Sequence, residues 1–231
     1  MKKFVSRRNL LKLGAGAVGT GVVAVGVGSE LVFPQKAVAK DEMTPEQALQ
    51  QLIEGNNRFV KRQRKNPNQT FTRLIEVAKG QKPFASILGC ADSRVPSEII
   101  FDQGFGDLFV CRVAGNIATP EETGSLEFGS IVLGSKVIMV LGHKRCGAVE
   151  ATVKGAQVPG QIATLLAAIK PGIESVKNQP GDKVENACKA NVASQIQKLK
   201  TSPLLSQLVA EKKLVIVGGY YDLDNGQVTL I

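Results

Sequence analysis

The chain predicts an α/β fold: helices flanking a mostly parallel central sheet, with about four parallel strands and one antiparallel strand at the edge. Three observations predict it. Apolar runs of strand length at 83–88, 137–141 and 214–217 are each followed by glycine. The stretches between them carry capping residues and helical spacing, the pattern of crossovers that leave strands parallel. The last strand-like run, 227–231, follows Asp224-Asn225-Gly226, a hairpin turn signal.

Residues 1–39 read as a targeting segment outside the fold. Lys2 and Lys3 make a basic start, and Ser6-Arg7-Arg8-Asn9-Leu10-Leu11-Lys12 has the form of a twin-arginine signal, with leucine where phenylalanine is more usual. An apolar stretch rich in glycine follows, and Ala37-Val38-Ala39 is a small-x-small cleavage site. The expectation is passage through the twin-arginine export machinery to the periplasm, or to a thylakoid lumen in a photosynthetic prokaryote. The mature domain is then 40–231. An uncleaved membrane anchor is the alternative.

Thr44-Pro45-Glu46 opens the domain with an N-cap and a proline at the first helical position. Leu49, Leu52, Ile53, Phe59 and Val60 continue as an apolar stripe, and the basic residues Arg58 to Lys65 suit a helix C-terminus. A second helix is expected at 71–79, the first strand at 83–88 and a short helix at 96–100. Residues 107–113 read as the second strand. Thr119-Pro120-Glu121-Glu122 starts a helix that Leu126, Phe128 and Ile131 extend. The third strand is 136–141. Helices follow near 147–151, 160–170, 181–200 and 203–211, then the strands 214–217 and 227–231.

The formal net charge is +9, but residues 1–39 hold six basic residues and one acidic residue, leaving about +4 on the mature part. That excess is mild and gives no argument for a nucleic-acid partner. Four cysteines in a chain of this size do not form a disulfide framework. Cys111 and Cys188 read as small buried residues, with a bridge between them as the alternative.

The chemistry is concentrated after two of the strand-like runs. Cys90, Asp92 and Arg94 sit at i, i+2 and i+4 in Gly89-Cys90-Ala91-Asp92-Ser93-Arg94, a spacing that turns a thiol, a carboxylate and a guanidinium to one side. Gly142-His143-Lys144-Arg145-Cys146-Gly147 places the sole histidine three residues before a cysteine, so one turn presents both to one metal. Both stretches fall at carboxyl ends of strands, where open α/β sheets keep their ligand crevices. Cys, His, Cys and a removable Asp make a zinc site whose fourth position can open. Arg94 can hold Asp92 bidentately in competition with the metal.

At these residues the sequence resembles the β-class carbonic anhydrases, whose pattern Cys-x-Asp-x-Arg followed by His-x-x-Cys is met by Cys90, Asp92, Arg94, His143 and Cys146. Ser93-Arg94-Val95-Pro96, the stretch from Asp102 to Val110, Ala114-Gly115-Asn116 and Gly218-Gly219-Tyr220-Tyr221-Asp222-Leu223 extend the likeness over roughly 43–231. The resemblance implies one Zn²⁺ per chain on Cys90, His143 and Cys146, with Asp92 as a further, removable ligand. It implies reversible hydration of carbon dioxide to bicarbonate by zinc-bound hydroxide, with Asp92 and Arg94 as the catalytic pair. It also implies a homodimer or dimer-based tetramer, in which the first helix reaches over a neighbouring subunit. Val95, Phe105 and residues beside Gly147 are candidates for the substrate pocket. Two alternatives stay open: a related zinc hydrolase acting on carbonyl sulfide or carbon disulfide, and a catalytically silent zinc-binding homologue.

Overall fold

Five strands, β1 (Ala85–Gly89), β2 (Leu108–Arg112), β3 (Val137–His143), β4 (Val215–Tyr221) and β5 (Val228–Leu230), form one sheet in the order β2-β1-β3-β4-β5 in the computed structural model, which describes residues 43–231. The first four are parallel and β5 pairs antiparallel with β4, as predicted. The twin-arginine segment and its cleavage site lie outside the described residues. Among the described residues eight α-helices connect and cover the strands: α1 (Pro45–Val60), α2 (Phe71–Val77), α3 (Ser97–Ile100), α4 (Pro120–Glu127), α5 (Gly147–Val153), α6 (Ile162–Ile173), α7 (Lys183–Leu199) and α8 (Pro203–Ala210). Among the described residues no helix is long and apolar enough to cross a membrane.

Alternation along the strands builds a core on each face. Ile87, Met139 and Leu141 pack on one side with Leu52 of α1 and with Ile100 and Phe101. Leu88, Ile138 and Val140 pack on the other with Leu126 of α4, Val192 and Leu199 of α7, and Leu205 of α8. β1 and β3 are buried along their whole length, as central strands covered on both faces must be. α1 starts with a reciprocal cap between Thr44 and Gln47 and lies on its own chain, where Asn56 Nδ2 donates to Ile100 O and Gly226 O.

Two strands run further than their apolar runs. β3 continues through Gly142 to His143, so His143 ends a strand rather than opening a loop. β4 continues through Gly218 and Gly219 to Tyr221. Those glycines are positions of close approach rather than strand ends: a Cβ on Gly218 would lie 2.8 Å from Val192 Cγ1, and one on Gly219 3.0 Å from Met139 Sδ. The helix expected from 119 through 131 also breaks, into α4 and a π-helical turn at Phe128–Val132.

The loop before β2 is held by a buried carboxylate. Asp102 accepts from Arg58 Nε at 2.6 Å, Lys65 N at 3.0 Å and Asn66 N at 2.9 Å, and its side chain is fully buried. Burial raises its pKa, but those three donors outweigh burial and hold it below the ordinary value. Its stabilisation is therefore complete above the unfolded pKa of about 4 and is lost as pH falls through the lower folded value. Asp102→Asn should lower stability by about 2 kcal/mol at neutral pH, and the parent and variant denaturation curves should converge in acid. Curves that coincide at neutral pH would show that the carboxylate charge contributes nothing.

Candidate metal centre

Parallel pairing sets Gly89 of β1 opposite Leu141 of β3 and Arg112 of β2, so the segments after β1 and β3 leave the sheet side by side at its carboxyl edge. Cys90 follows β1 directly, and His143 ends β3 in register with Tyr221. Arg145 takes a left-handed φ of 54°, which returns the chain within two residues so that Cys146 faces His143. Cys90 Sγ, Cys146 Sγ and a ring nitrogen of His143 all lie within 4.8 Å of one another, and all three residues are buried. The structure thus brings together three of the predicted ligands: His143 from the end of β3, and Cys90 and Cys146, 56 residues apart, from the segments that follow β1 and β3.

The donor set fits a metal cation. His143 Nδ1 is 3.0 Å from Lys144 O. A carbonyl only accepts, so Nδ1 carries the proton and Nε2 presents its lone pair. Nε2 is buried and has no hydrogen-bond partner. Cys90 and Cys146 sulfurs are 3.9 Å apart. The bond from Cys146 is the main cause that draws the Cys90 thiol far down; the same bond, then burial, drives the Cys146 thiol up. Two sulfurs sharing one proton beside an unpartnered imidazole nitrogen form a site that a divalent cation satisfies better, and this Cys–His–Cys set suits zinc.

Asp92 stands beside the trio. Its Oδ2 is 3.8 Å from His143 Nε2. Both its oxygens are occupied by Arg94: Nε reaches Oδ1 at 2.9 Å, Nη2 reaches Oδ2 at 2.7 Å, and the Arg94 N–H adds a bond to Oδ1 at 2.9 Å. That guanidinium holds the carboxyl far below the usual carboxylate range, against the opposing effect of burial. Arg94 Nη2 also donates to Arg145 O at 3.3 Å, so the two turns are tied to each other. Beyond them Lys144 and Arg145 pair with Asp222 and Asp224 on the β4–β5 connection. The Lys144–Asp222 pair is half-buried and the Arg145–Asp224 pair exposed, and surface pairs of this kind are individually weak.

Sequence reasoning passes over Arg112. It donates from Nε to Cys90 O at 2.9 Å and from Nη2 to Asp92 O, and so fixes the backbone of the Cys90 turn. The only signal is an arginine ending an otherwise apolar run. Gly115 N also donates to Cys90 Sγ at 3.3 Å. Phe105 belongs elsewhere: it precedes β2 at the amino edge of the sheet, with its carbonyl bonded by Arg73. Val95 is buried in the core on the α1 side. All four cysteines are unbridged. Burial raises the Cys111 thiol and pushes that of Cys188 up to about 12, which keeps both protonated.

Known proteins share this arrangement of sequence. The family model described as carbonic anhydrase matches residues 85–228. Carbonic anhydrase 2 of Mycobacterium tuberculosis is 38% identical over 191 residues, covering 80% of this chain and 92% of that protein. A carbonic anhydrase of Synechococcus elongatus is 30% identical over 197 residues, covering 79% of this chain and 71% of that one. Among solved structures, a tetrameric β-carbonic anhydrase from Sordaria macrospora matches with a TM-score of 0.65 at 27% identity, over 68% of this chain and 85% of that one.

Proposed function

The chain belongs to the zinc-dependent β-class carbonic anhydrase family and is a carbonic anhydrase; we propose that Cys90, His143 and Cys146 hold the Zn²⁺ with which it interconverts carbon dioxide and bicarbonate, and that Asp92 and Arg94 govern the fourth position. The observation that carries this reading is the bare, buried Nε2 of His143 facing two thiol sulfurs, beside a carboxylate already engaged by an arginine. Zn²⁺ held there supplies the Lewis acidity that turns water into hydroxide near neutral pH. Cys90 and Cys146 supply the two anionic donors. Lys144 O fixes the His143 tautomer. Arg94 keeps Asp92 turned away, which leaves room for water at the site. A purely structural zinc needs no such pair. Hydration of carbon dioxide measured beside hydrolysis of carbonyl sulfide and carbon disulfide tests the substrate. Hydration is expected to be the fastest of the three, and faster hydrolysis of either sulfur compound would reassign the activity.

Residues 1–39 are proposed to act as a twin-arginine signal cleaved after Ala39, placing the enzyme in the periplasm or, in a photosynthetic prokaryote, the thylakoid lumen. The paired Arg7 and Arg8, the apolar stretch after them and Ala37-Val38-Ala39 support this. That route carries folded proteins, so Cys90 and Cys146 would cross already bound to metal and protected from disulfide exchange. Replacing Arg7 and Arg8 by lysine should leave the protein in the cytoplasm in a fractionation assay; normal export would point to another route or to a simple anchor.

A homodimer or dimer-based tetramer is the proposed assembly. The Sordaria relative is tetrameric. Here the edge strand β2 is half-exposed, and Phe128, whose ring lies against Phe109 of β2, is 47% exposed. Light scattering should return the mass of two or four chains, whereas a monomer at micromolar concentration would overturn the proposal.

A further inference from the structure

α7 carries two amides on a face that is otherwise core. Asn191 is 0% and Gln195 1% exposed, alongside Val192, Ile196 and Leu199. Buried amides destabilise unless their groups find partners, and both find them at the turn between β2 and α4. Asn191 Nδ2 donates to Gly115 O at 2.8 Å. Gln195 Oε1 accepts from Ala118 N at 2.9 Å. Gln195 Nε2 donates to Asn191 Oδ1 at 3.0 Å, which sets the direction in which the Asn191 amide faces.

The turn they hold is not one the chain adopts readily by itself. Gly115 and Asn116 both have left-handed φ, 78° and 44°. A methyl group on Gly115 would lie 2.5 Å from Ile169 Cδ1, so the backbone runs hard against α6. In this shape the turn directs the Gly115 N–H at Cys90 Sγ.

We infer that Asn191 and Gln195 are positioning residues of the metal centre: through the Gly115 turn they aim an N–H at the Cys90 sulfur, fixing its direction and moderating its donation to the metal. The inference rests on the assignment of Cys90 as a ligand. A hydrogen bond to a thiolate withdraws charge from it. Without that bond the sulfur becomes a more electron-rich donor with a less defined direction. Outer supports of this kind typically change metal affinity by about 10–100-fold.

Cobalt(II) replaces zinc in such sites and reports thiolate donation through sulfur-to-metal charge-transfer absorption. In the full-length protein, Asn191→Ala should move that absorption to longer wavelength and weaken metal binding in a chelator competition by about tenfold. Asn191→Asp keeps the acceptor toward Gln195 but cannot donate to Gly115 O, so it should shift the band in the same sense. Gln195→Met, which preserves the shape of the helix face, should shift it by less and serves if the Asn191 variants do not fold. Leu199→Ala on the same helix is the structural control: it should lower thermal stability and leave the band in place. Folded variants at Asn191 and Gln195 with the parent's absorption would overturn the inference, as would an equal shift in Leu199→Ala. A parent protein that binds neither zinc nor cobalt would overturn the ligand assignment itself, and the inference with it.

Discussion

Arg94→Ala should keep its zinc and lose about 10–100-fold of its carbon dioxide hydration rate. Arg94 makes none of the expected bonds to the metal, so zinc content has no reason to fall. What it does is occupy both oxygens of Asp92. Asp92 Oδ2 is already 3.8 Å from His143 Nε2, so a released carboxylate has a short path to the fourth position. Two thiolates cancel the charge of Zn²⁺, and a third anion would leave an anionic site with no place for water. Arg94 holds the Asp92 carboxyl far below the usual carboxylate range, so it stays ionised throughout the working pH range. Its protonation therefore cannot open the site. Hydroxide is the remaining competitor, and it rises with pH. Hydration by the parent enzyme should accordingly climb from about pH 6.5 to about 9, with the Arg94→Ala profile displaced further to alkaline pH. A flat parent profile in stopped-flow assays, or an Arg94→Ala enzyme as fast as the parent at neutral pH, would show that no such gate limits turnover.

Cys146→Ser should strip most of the zinc, and activity should fall in proportion. Four-ligand structural zinc sites bind with about 10–16 kcal/mol, so one ligand's share is on the order of 3 kcal/mol, or about 100-fold in affinity. A serine hydroxyl stays protonated where a thiol ionises, and it cannot replace a thiolate on zinc. Cys146 is buried with Val149, Ile169 and Tyr220, and serine is close to it in size, so the fold should survive. Metal analysis after dialysis should find well under one zinc per chain. A full complement in this variant would remove Cys146 from the ligand set.

Much of this was legible because it is local. A run of five or six apolar residues before a glycine marks a central parallel strand, and the ligands sit directly after two such runs. The sequence is less legible where backbone conformation is settled by distant packing. Gly218 and Gly219 look like the end of a strand, yet they continue β4 because Val192 and Met139 come too close for any larger side chain. His143 looks like a loop residue, yet Tyr221 pairs with it across the sheet. Arg112 and Gly115 support Cys90 from residues 22 and 25 positions away, a proximity created only by the parallel register of β1 and β2. Phe105 shares a short stretch with strand β2 but precedes it, which puts it at the edge of the sheet away from the ligands.

The most direct measurement determines zinc and carbon dioxide hydration in one preparation of the purified protein, with stepwise chelation and reloading. One zinc per chain is expected, with a hydration rate that falls and returns in step with the zinc bound. A fully loaded protein that does not hydrate carbon dioxide, or one that hydrates it at an undiminished rate after the zinc has been removed, would contradict the assignment of this site.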